Sequence, residues 1–588
     1  MQKVLTAAEM REVDRLTTER YGIPSIILME NAAHAVARVI TERLGGTVKD
    51  KRILILCGKG NNGGDGAALA RILWQQEALV SAVLFGKVNE TNGDARSNFE
   101  VLTSYRQAGS FQMDISLHLD EGSVGLYECE DGEYFRKRYR PHKDPEIVVD
   151  ALLGTGVDRP IERNLSQVLS SEWLDEKFFR ERRFDIVSVD LPSGLSADHP
   201  TPIGSHVTAD LTVTFTAPKI ANLLGEAGAA NGELIVANIG TPQYLVNEQP
   251  SKLYLTEKDD VMAWVYRTGF ATNSYKNKRG HCLIVAGSAD FSGAAVLAGN
   301  AAMRSGLGLV TLATSKSSRD SVASRTEPEI MVRGVAETEN GAVAEEAFDE
   351  LTELFAKANA IAIGSGLSQS ESTKRFVEQI IEHRKQPVVI DADALNLLSP
   401  WITENHPDAE ASPLLGKDGS FRKQNHPDAN ERMLILTPHE GEFLRLLGET
   451  ENHPDAEASP LLGKEGNQIK DRVAAVREFS QKHNVILVLK GERVLIGEPG
   501  GKVVVNPTGN SGLGKAGNGD TLTGIIAGFV TQASAMDIDI FETVVAAVYV
   551  AGMAGDIAEK KYGKRVMTAS DVRECLADAF ANLNFSNS

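Results

Sequence analysis

Two glycine-rich segments, each carrying an aspartate, constrain this chain more than any other feature. Gly58-Lys59-Gly60-Asn61-Asn62-Gly63-Gly64-Asp65-Gly66 follows the apolar run Ile53-Leu54-Ile55-Leu56. Gly514-Lys515-Ala516-Gly517-Asn518-Gly519-Asp520 precedes a helix-like run from Thr521 to Val530. Glycine allows backbone conformations that a Cβ forbids, so loop amides can close on an anionic ligand. A helix that follows adds unpaired N–H groups and the positive end of its dipole. Two different segments of this kind, both at strand–helix junctions, predict two nucleotide-sized ligands and two sites.

A chain of 588 residues exceeds what one core holds, so two large α/β domains are expected. The formal net charge of −19 disfavours non-specific nucleic-acid binding and attachment to an acidic membrane, since both need a positive field. Cys57, Cys129, Cys282 and Cys575 show no CxxC or zinc-like spacing, which predicts a reducing compartment. The opening helix, capped by Thr6-x-x-Glu9, lacks the apolar stretch of a signal peptide, and no long uncharged apolar run predicts a membrane span. A cytoplasmic protein with neither membrane nor nucleic-acid partner is the expectation.

Helical periodicity covers about 6–20 and 28–43. A strand at 52–57, a helix at 66–76, a strand at 79–85 and a helical 91–108 follow. After an acidic irregular stretch around 119–134 come strands at 146–150, 185–189 and 211–216. This alternation predicts a mostly parallel sheet covered on both faces, with ligands beyond the carboxyl ends of its strands. The loops after 53–56, 147–150 and 186–189 then share one crevice. Periodicity fades from about Gly240 to Arg279, apart from a short helix around 257–266, which divides the chain into 1–245 and 252–588. A second α/β series starts with the strand His281 to Ala286 and continues with strands at 308–313, 359–363, 387–391, 433–437, 485–489 and 502–505.

Glu404 to Lys417, ENHPDAEASPLLGK, recurs residue for residue at Glu451 to Lys464, and Asn425 to Ala429 repeats a fragment between them. Its histidine and aspartate spacings match no metal-ligand pattern, and its proline and small polar residues predict a duplicated surface loop.

In the first half, the glycine segment is joined by Val149-Asp150 to Gly154-Thr155-Gly156 and by Val189-Asp190-Leu191-Pro192-Ser193-Gly194, all at strand ends. An amide, two carboxylates and a serine around one crevice can hold a monovalent cation through oxygen and leave one carboxylate for proton transfer. An isolated aspartate commonly just caps a turn, but three converging loops weigh against that reading. With Thr6 to Asp14 and Leu28-Met29-Glu30-Asn31-Ala32, these motifs resemble the N-terminal NAD(P)H-hydrate epimerase domain over about 1–240. The resemblance implies substrate contacts at Asn61, Asn62, Gly63, Gly64 and Asp65. It implies more at Gly154, Thr155, Gly156, Val157, Asp158, Arg159, Pro160 and Asp190, with potassium on Asn62, Asp150 and Ser193. Asp190 is then the acid/base at the hydrated nicotinamide carbon.

In the second half, Gly514 to Asp520 resembles the loop of ribokinase-like enzymes, where amides hold developing negative charge and the aspartate faces the accepting hydroxyl. Val488-Leu489-Lys490-Gly491 ends a strand and suits nucleotide phosphate, while Asp391 to Leu395 and Leu436 to Glu442 also follow strands. A lone histidine is usually satisfied by backbone, but His439, beside a proline at a strand end, is a site candidate. Together with Ala286-Gly287-Ser288 and Ser292-Gly293-Ala294-Ala295, these motifs resemble the ADP-dependent NAD(P)H-hydrate dehydratase domain over about 252–580. The resemblance implies hydrate contacts at Ala294, Gly366, His439 and Asp520, the last also catalytic, and nucleotide contacts at Lys490, Gly491, Glu492, Arg493, Val494 and Gly519. Departures include Gly364-Ser365-Gly366 for the usual Gly-Pro-Gly and Asn518 for a small hydroxyl residue.

These resemblances imply a Rossmann-like three-layer domain followed by a ribokinase-like one, and a bifunctional repair activity on hydrated nicotinamide cofactors. The first domain interconverts the R and S hydrates. The second dehydrates the S form while ADP becomes AMP and phosphate, with magnesium, and the protein is expected to be a homo-oligomer. The rival is a small-alcohol kinase of vitamin metabolism with a non-catalytic N-terminal binding domain. That reading predicts loss of the first domain's acidic residues, yet Asp65, Asp150 and Asp190 are present.

Overall fold

The structure, a computed structural model, describes residues 1–106, 124–129, 145–161, 165, 184–401, 432–448, 469 and 471–583. The chain divides into two compact units, Lys3–Ser251 and Lys252–Ser588, the latter joined by Met1–Gln2. Both copies of the duplicated segment and the fragment between them lie outside the described residues.

Strands are numbered along the chain, β1 (Gln2–Lys3) coming first. The first unit contains β2 (Arg52–Cys57), β3 (Leu79–Phe85), β4 (Val124–Cys129), β5 (Ile147–Ala151), β6 (Asp185–Val189), β7 (Leu211–Phe215) and β8 (Glu233–Ala237). They form one parallel sheet in the order β4-β3-β2-β5-β6-β7-β8. Period-two alternation divides each strand between two buried faces. Ile53, Ile55 and Cys57 enter the core that holds helices Ser25–Arg43 and Asn61–Gln75, while Leu54 and Leu56 face a second core with Val148 and Ile186. Two strands escape the periodicity reading. β4 occupies part of the stretch expected to be irregular, and β8 has an edge position and a half-exposed pattern.

The second unit holds β9 (Leu253–Leu255), β10 (His281–Val285), β11 (Leu309–Ser315), β12 (Met331–Val335), β13 (Ala360–Ile363) and β14 (Val388–Ile390). It continues with β15 (Leu434–Leu436), β16 (Ile486–Leu489), β17 (Leu495–Gly497) and β18 (Val503–Val505). With β1 they form an eleven-stranded sheet ordered β1-β9-β18-β17-β16-β15-β14-β13-β10-β11-β12. From β16 to β12 all neighbours are parallel, and β17 pairs antiparallel with both β16 and β18. The sequence reading lacks β1, β9, β12 and β17, which are short, or exposed at an edge. Helix Asn518–Met536 lies against helix Ser292–Arg304. A Cβ at Gly524 would fall 2.2 Å from the Ala298 carbonyl oxygen, so glycine sets how closely the two can approach. Among the described residues one helix, Ile540–Tyr562, is long and apolar enough to cross a membrane by length and composition. Its residues from Val544 to Val550 all sit in the second unit's main core.

Two candidate active sites

In the first unit the chain moves from β2 to β3 and β4 on one side and returns at β5 on the other. Loops leaving β2 and β5 therefore diverge, opening a crevice at the strands' carboxyl ends. The glycine segment is mostly helix: Asn61–Gln75 starts at Asn61 rather than near residue 66, leaving only Gly58-Lys59-Gly60 as a loop. None of its glycines has a left-handed φ. They serve close approach instead. A Cβ at Gly58 would fall 1.9 Å from the Leu152 carbonyl oxygen, and one at Gly63 would fall 1.8 Å from the Gly58 carbonyl oxygen. The Gly64 amide is bonded to the Gly60 carbonyl (3.1 Å), so the helix offers ligand its first amides, at Asn61, Asn62 and Gly63.

Asp150 is the penultimate residue of β5 and is 1% exposed. Its Oδ2 accepts from Ser188 Oγ (2.9 Å) and the Ser193 amide (2.8 Å), and its Oδ1 from Ser193 Oγ (2.5 Å). Burial raises its carboxyl, and these donors offset only part of that rise. Among the described residues no cation pairs with it. Asn62, 8% exposed, leaves Nδ2 without a partner, and its amide faces Gly154, whose Cβ position is 3.5 Å from Asn62 Oδ1. A buried carboxylate without a cation, an unpartnered amide and the Ser193 hydroxyl make a donor set that fits a hard monovalent cation. The rest of the loop after β5 stays accessible, with Gly156, Asp158, Arg159 and Pro160 exposed and Gly154, Thr155 and Val157 half-buried.

Asp190 follows β6 with a left-handed φ of 66°. Its Oδ1 accepts from Lys219 Nζ (2.6 Å) and Thr214 Oγ1 (2.9 Å). The Lys219 ammonium, on a side chain only 1% exposed, also donates to Thr214 Oγ1 (2.8 Å) and the Phe215 carbonyl (3.3 Å). Two more carboxyls share this field. Burial, then Asp190 and Asp14, hold the Asp65 carboxyl well above its usual range. Asp14, on helix Ala7–Tyr21, keeps an exposed face yet is crowded by protein atoms. Burial first and Asp190 second push it up to about 6 against the pull of Lys219. Sequence reading missed Lys219 and Asp14. Lys219 was findable, because the segment after the strand at 211–216 must reach the same crevice. Asp14 looks like any polar residue on a surface helix.

The second site gathers the ends of five parallel strands. Gly287 and Ser288 follow β10, Gly364 to Gly366 follow β13, Asp391 follows β14, Thr437 to His439 follow β15, and Lys490 follows β16. Asp391, 1% exposed, accepts from Lys490 Nζ (2.8 Å) and Thr437 Oγ1 (2.8 Å) at Oδ1 and from Thr523 Oγ1 (2.6 Å) at Oδ2. Glu442 Oε2 stands 3.9 Å from the same ammonium. Burial lowers the Lys490 pKa, but Asp391, Glu442 and Asp520 outweigh it and raise it overall. Gly519 borders this pair, with its Cβ position 3.6 Å from Lys490 Nζ.

Asp520 lies in the first turn of Asn518–Met536, which again starts earlier than the sequence suggests, at a left-handed Gly517. Burial, reinforced by Asp391, pushes its carboxyl up to about 6. Ser365, close by but without a well-formed hydrogen bond, and Lys490 pull the other way. His439 is 56% exposed and caps helix Glu440–Leu446, its Nδ1 accepting from the Gly441 (3.1 Å) and Glu442 (3.3 Å) amides. Burial is the leading cause of its lowered pKa. Gly366, with φ 64°, abuts Ala294, so the two expected hydrate contacts are neighbours. Beyond Lys490 the turn divides its roles. Gly491 gives way to the Arg472 guanidinium, Glu492 is exposed, Arg493 donates to the Pro507 carbonyl, and Val494 packs against the main core.

Comparison with known proteins places both units. The family described as NAD(P)H-hydrate dehydratase matches residues 282–577, and the family described as YjeF-related protein N-terminus matches 25–221. A bifunctional NAD(P)H-hydrate repair enzyme of Moorella thermoacetica is 35% identical over 582 residues, covering 99% of this chain and 97% of that protein. One from Salinibacter ruber is 31% identical, over 97% and 95%. Among solved structures, an ADP/ATP-dependent NAD(P)H-hydrate dehydratase of Bacillus subtilis co-crystallised with ATP and Mg2+ is 27% identical. It matches 56% of this chain and 99% of its own, with a TM-score of 0.43.

Proposed function

The chain belongs to the bifunctional NAD(P)H-hydrate repair enzymes, and we propose that its two sites divide the repair as follows. The first unit epimerises the R and S hydrates of NADH and NADPH. The second dehydrates the S hydrate to the reduced cofactor as ADP becomes AMP and phosphate. The observation that carries this reading is the match to relatives of the same name along almost the whole chain, both units included.

In the first crevice the dinucleotide lies over the amides of Asn61, Asn62 and Gly63 and beside the loop Gly154 to Pro160, with the hydrated carbon at Asp190. Epimerisation breaks the carbon–oxygen bond, the hydroxyl leaving as water while the ring nitrogen lone pair stabilises the cation. Water then adds to the opposite face and gives up a proton, so nothing is consumed. A carboxyl that exchanges the proton in both half-reactions suffices, and Asp190 is that group. Asn62, Asp150 and Ser193 hold potassium, which when bound supplies the positive charge that the buried Asp150 lacks.

In the second site Asp520 takes the proton of the substrate hydroxyl as that oxygen bonds to the β-phosphorus of ADP and AMP departs. Phosphate is a far better leaving group than hydroxide. Its loss, with a proton from the neighbouring ring carbon, restores the reduced ring. Lys490, Gly519 and the first-turn amides of Asn518–Met536 face the phosphates, with magnesium accompanying the nucleotide. Ala294, Gly366 and His439 line the hydrate. The protein works in the cytoplasm. The small-alcohol kinase reading leaves the acidic crevice of the first unit without a task. Purified protein given mixed hydrate epimers with ADP, then with ATP, tests the assignment through recovery of reduced nicotinamide absorbance. Full recovery faster than spontaneous epimerisation supports both activities, and no recovery refutes the reading.

A further inference from the structure

We propose that Lys219 is the positioning residue of the epimerase, clasping one oxygen of Asp190 so that the other is presented to the hydrated carbon. The inference rests on the epimerase reading of this unit. An ammonium carries three donors, and all three of Lys219 are committed, to Asp190 Oδ1, Thr214 Oγ1 and the Phe215 carbonyl. None remains for a phosphate or hydroxyl, so Lys219 acts on the substrate only through Asp190. Asp190 is in turn fixed at every polar atom but one. Its amide donates to the Val213 carbonyl (2.8 Å), its carbonyl accepts from Asn222 Nδ2 (3.3 Å), and Oδ1 is doubly bonded. Among the described residues no donor reaches Oδ2.

The backbone tells the same story. Asp190 and Thr216, at the ends of adjacent strands, both have left-handed φ values, 66° and 65°. Such conformations persist without glycine only where the surroundings over-determine them. A buried ion pair is in itself a poor stabiliser, often matched by well-packed apolar residues. This one lies in a field shared with Asp14 and Asp65, and it holds Asp190 Oδ1 against two donors. Clasping therefore decides where one reactive oxygen points.

The test compares wild-type protein with K219M, K219R and T214V, measuring R-to-S conversion by chromatographic separation of the two hydrates. Expected for K219M is a kcat lowered about 100-fold with KM within about two-fold, a loss on the scale of removing a positioned proton-transfer group. K219R restores part of kcat, because it keeps the charge but not the donor geometry. T214V, a near-isostere for use should K219M not fold, lowers kcat about ten-fold at unchanged KM. Wild-type kcat in K219M or T214V overturns the proposal, as does a loss confined to KM. A wild-type protein that does not epimerise at all overturns the epimerase reading instead, so the two failures are distinct.

Discussion

Each unit pairs a lysine with an aspartate at the carboxyl ends of its sheet, Lys219 with Asp190 and Lys490 with Asp391. The sites differ in which carboxylate is gripped. In the first, the gripped Asp190 is the residue we propose as the reacting group. In the second, Asp391 takes the lysine and Asp520 stands apart, its carboxyl raised to about 6. The difference follows the chemistry. Epimerisation needs one oxygen held at one carbon while water comes and goes, which rewards orientation. Phosphoryl transfer to a hydroxyl needs a base whose affinity for a proton lies near neutrality, which rewards burial without a partner.

The largest effects expected from this contrast are on rate. Asp520→Asn should lower ADP-dependent dehydration by about 10²–10⁴-fold and leave epimerisation intact, since positioned proton transfer is worth that much. Asp190→Ala should do the converse. The S hydrate is then still consumed quickly, while the R hydrate persists and is recovered only at its spontaneous rate. Separating the residual epimers over time measures both. If both epimers disappear at matched enzymatic rates in Asp190→Ala, Asp190 is not the reacting group.

The two glycine segments, the strand ends and most candidate residues were legible because parallel sheets gather ligands at their carboxyl ends. Asn62, Asp150, and Asp190 with Ser193 come from three sequence-distant segments at the ends of β2, β5 and β6, as that rule requires. The meaning of the glycines was less legible. Gly58 and Gly63 interlock a loop and a helix rather than open a left-handed turn, and only their close contacts reveal this. The pairings of Asp190 with Lys219 and of Asp391 with Lys490 were hidden for a different reason. A sequence shows that charges exist, while burial and a partner across 29 or 99 residues decide what they do.

Stability should break the symmetry in the opposite direction. Asp190→Asn leaves the buried Lys219 without its counter-charge, so the first unit should lose about 3–5 kcal/mol, the usual cost of breaking a buried pair. Asp391→Asn should destabilise the second unit in the same sense but by less, because Lys490 is more exposed and keeps Glu442 nearby. Denaturant titration with a probe in each unit reads these losses. Wild-type stability in Asp190→Asn means the clasp contributes nothing to the fold.

Potassium offers a smaller separation. Replacing it with a bulky organic cation should slow epimerisation by on the order of 10–100-fold, comparable to loss of a supporting group at an ion site, and spare the dehydratase. Equal epimerisation rates in the two buffers would remove the ion from the site and leave Asp150 to its serines.

The smallest expected effect is also the one most specific to an ungripped carboxylate. Asp520 titrates at about 6 in the folded protein against 3.8 for an ordinary carboxyl, so the folded state binds the extra proton between those values. Stability therefore falls as pH rises from about 4 to about 6 and stays lower above that. Two pH units correspond to just under about 3 kcal/mol, and the partial exposure of Asp520 reduces this to about 1–2 kcal/mol. Asparagine cannot ionise, so Asp520→Asn should be more stable than wild type at pH 7 by that amount, with the advantage gone below about pH 4. The second unit would then show a residue whose removal abolishes activity and strengthens the fold, where Asp190→Asn costs both. Denaturation midpoints of wild type and Asp520→Asn at pH 4 and pH 7 decide the matter. A difference that is the same at both pH values means Asp520 is not held protonated by its surroundings, and the contrast between the two sites fails at that point.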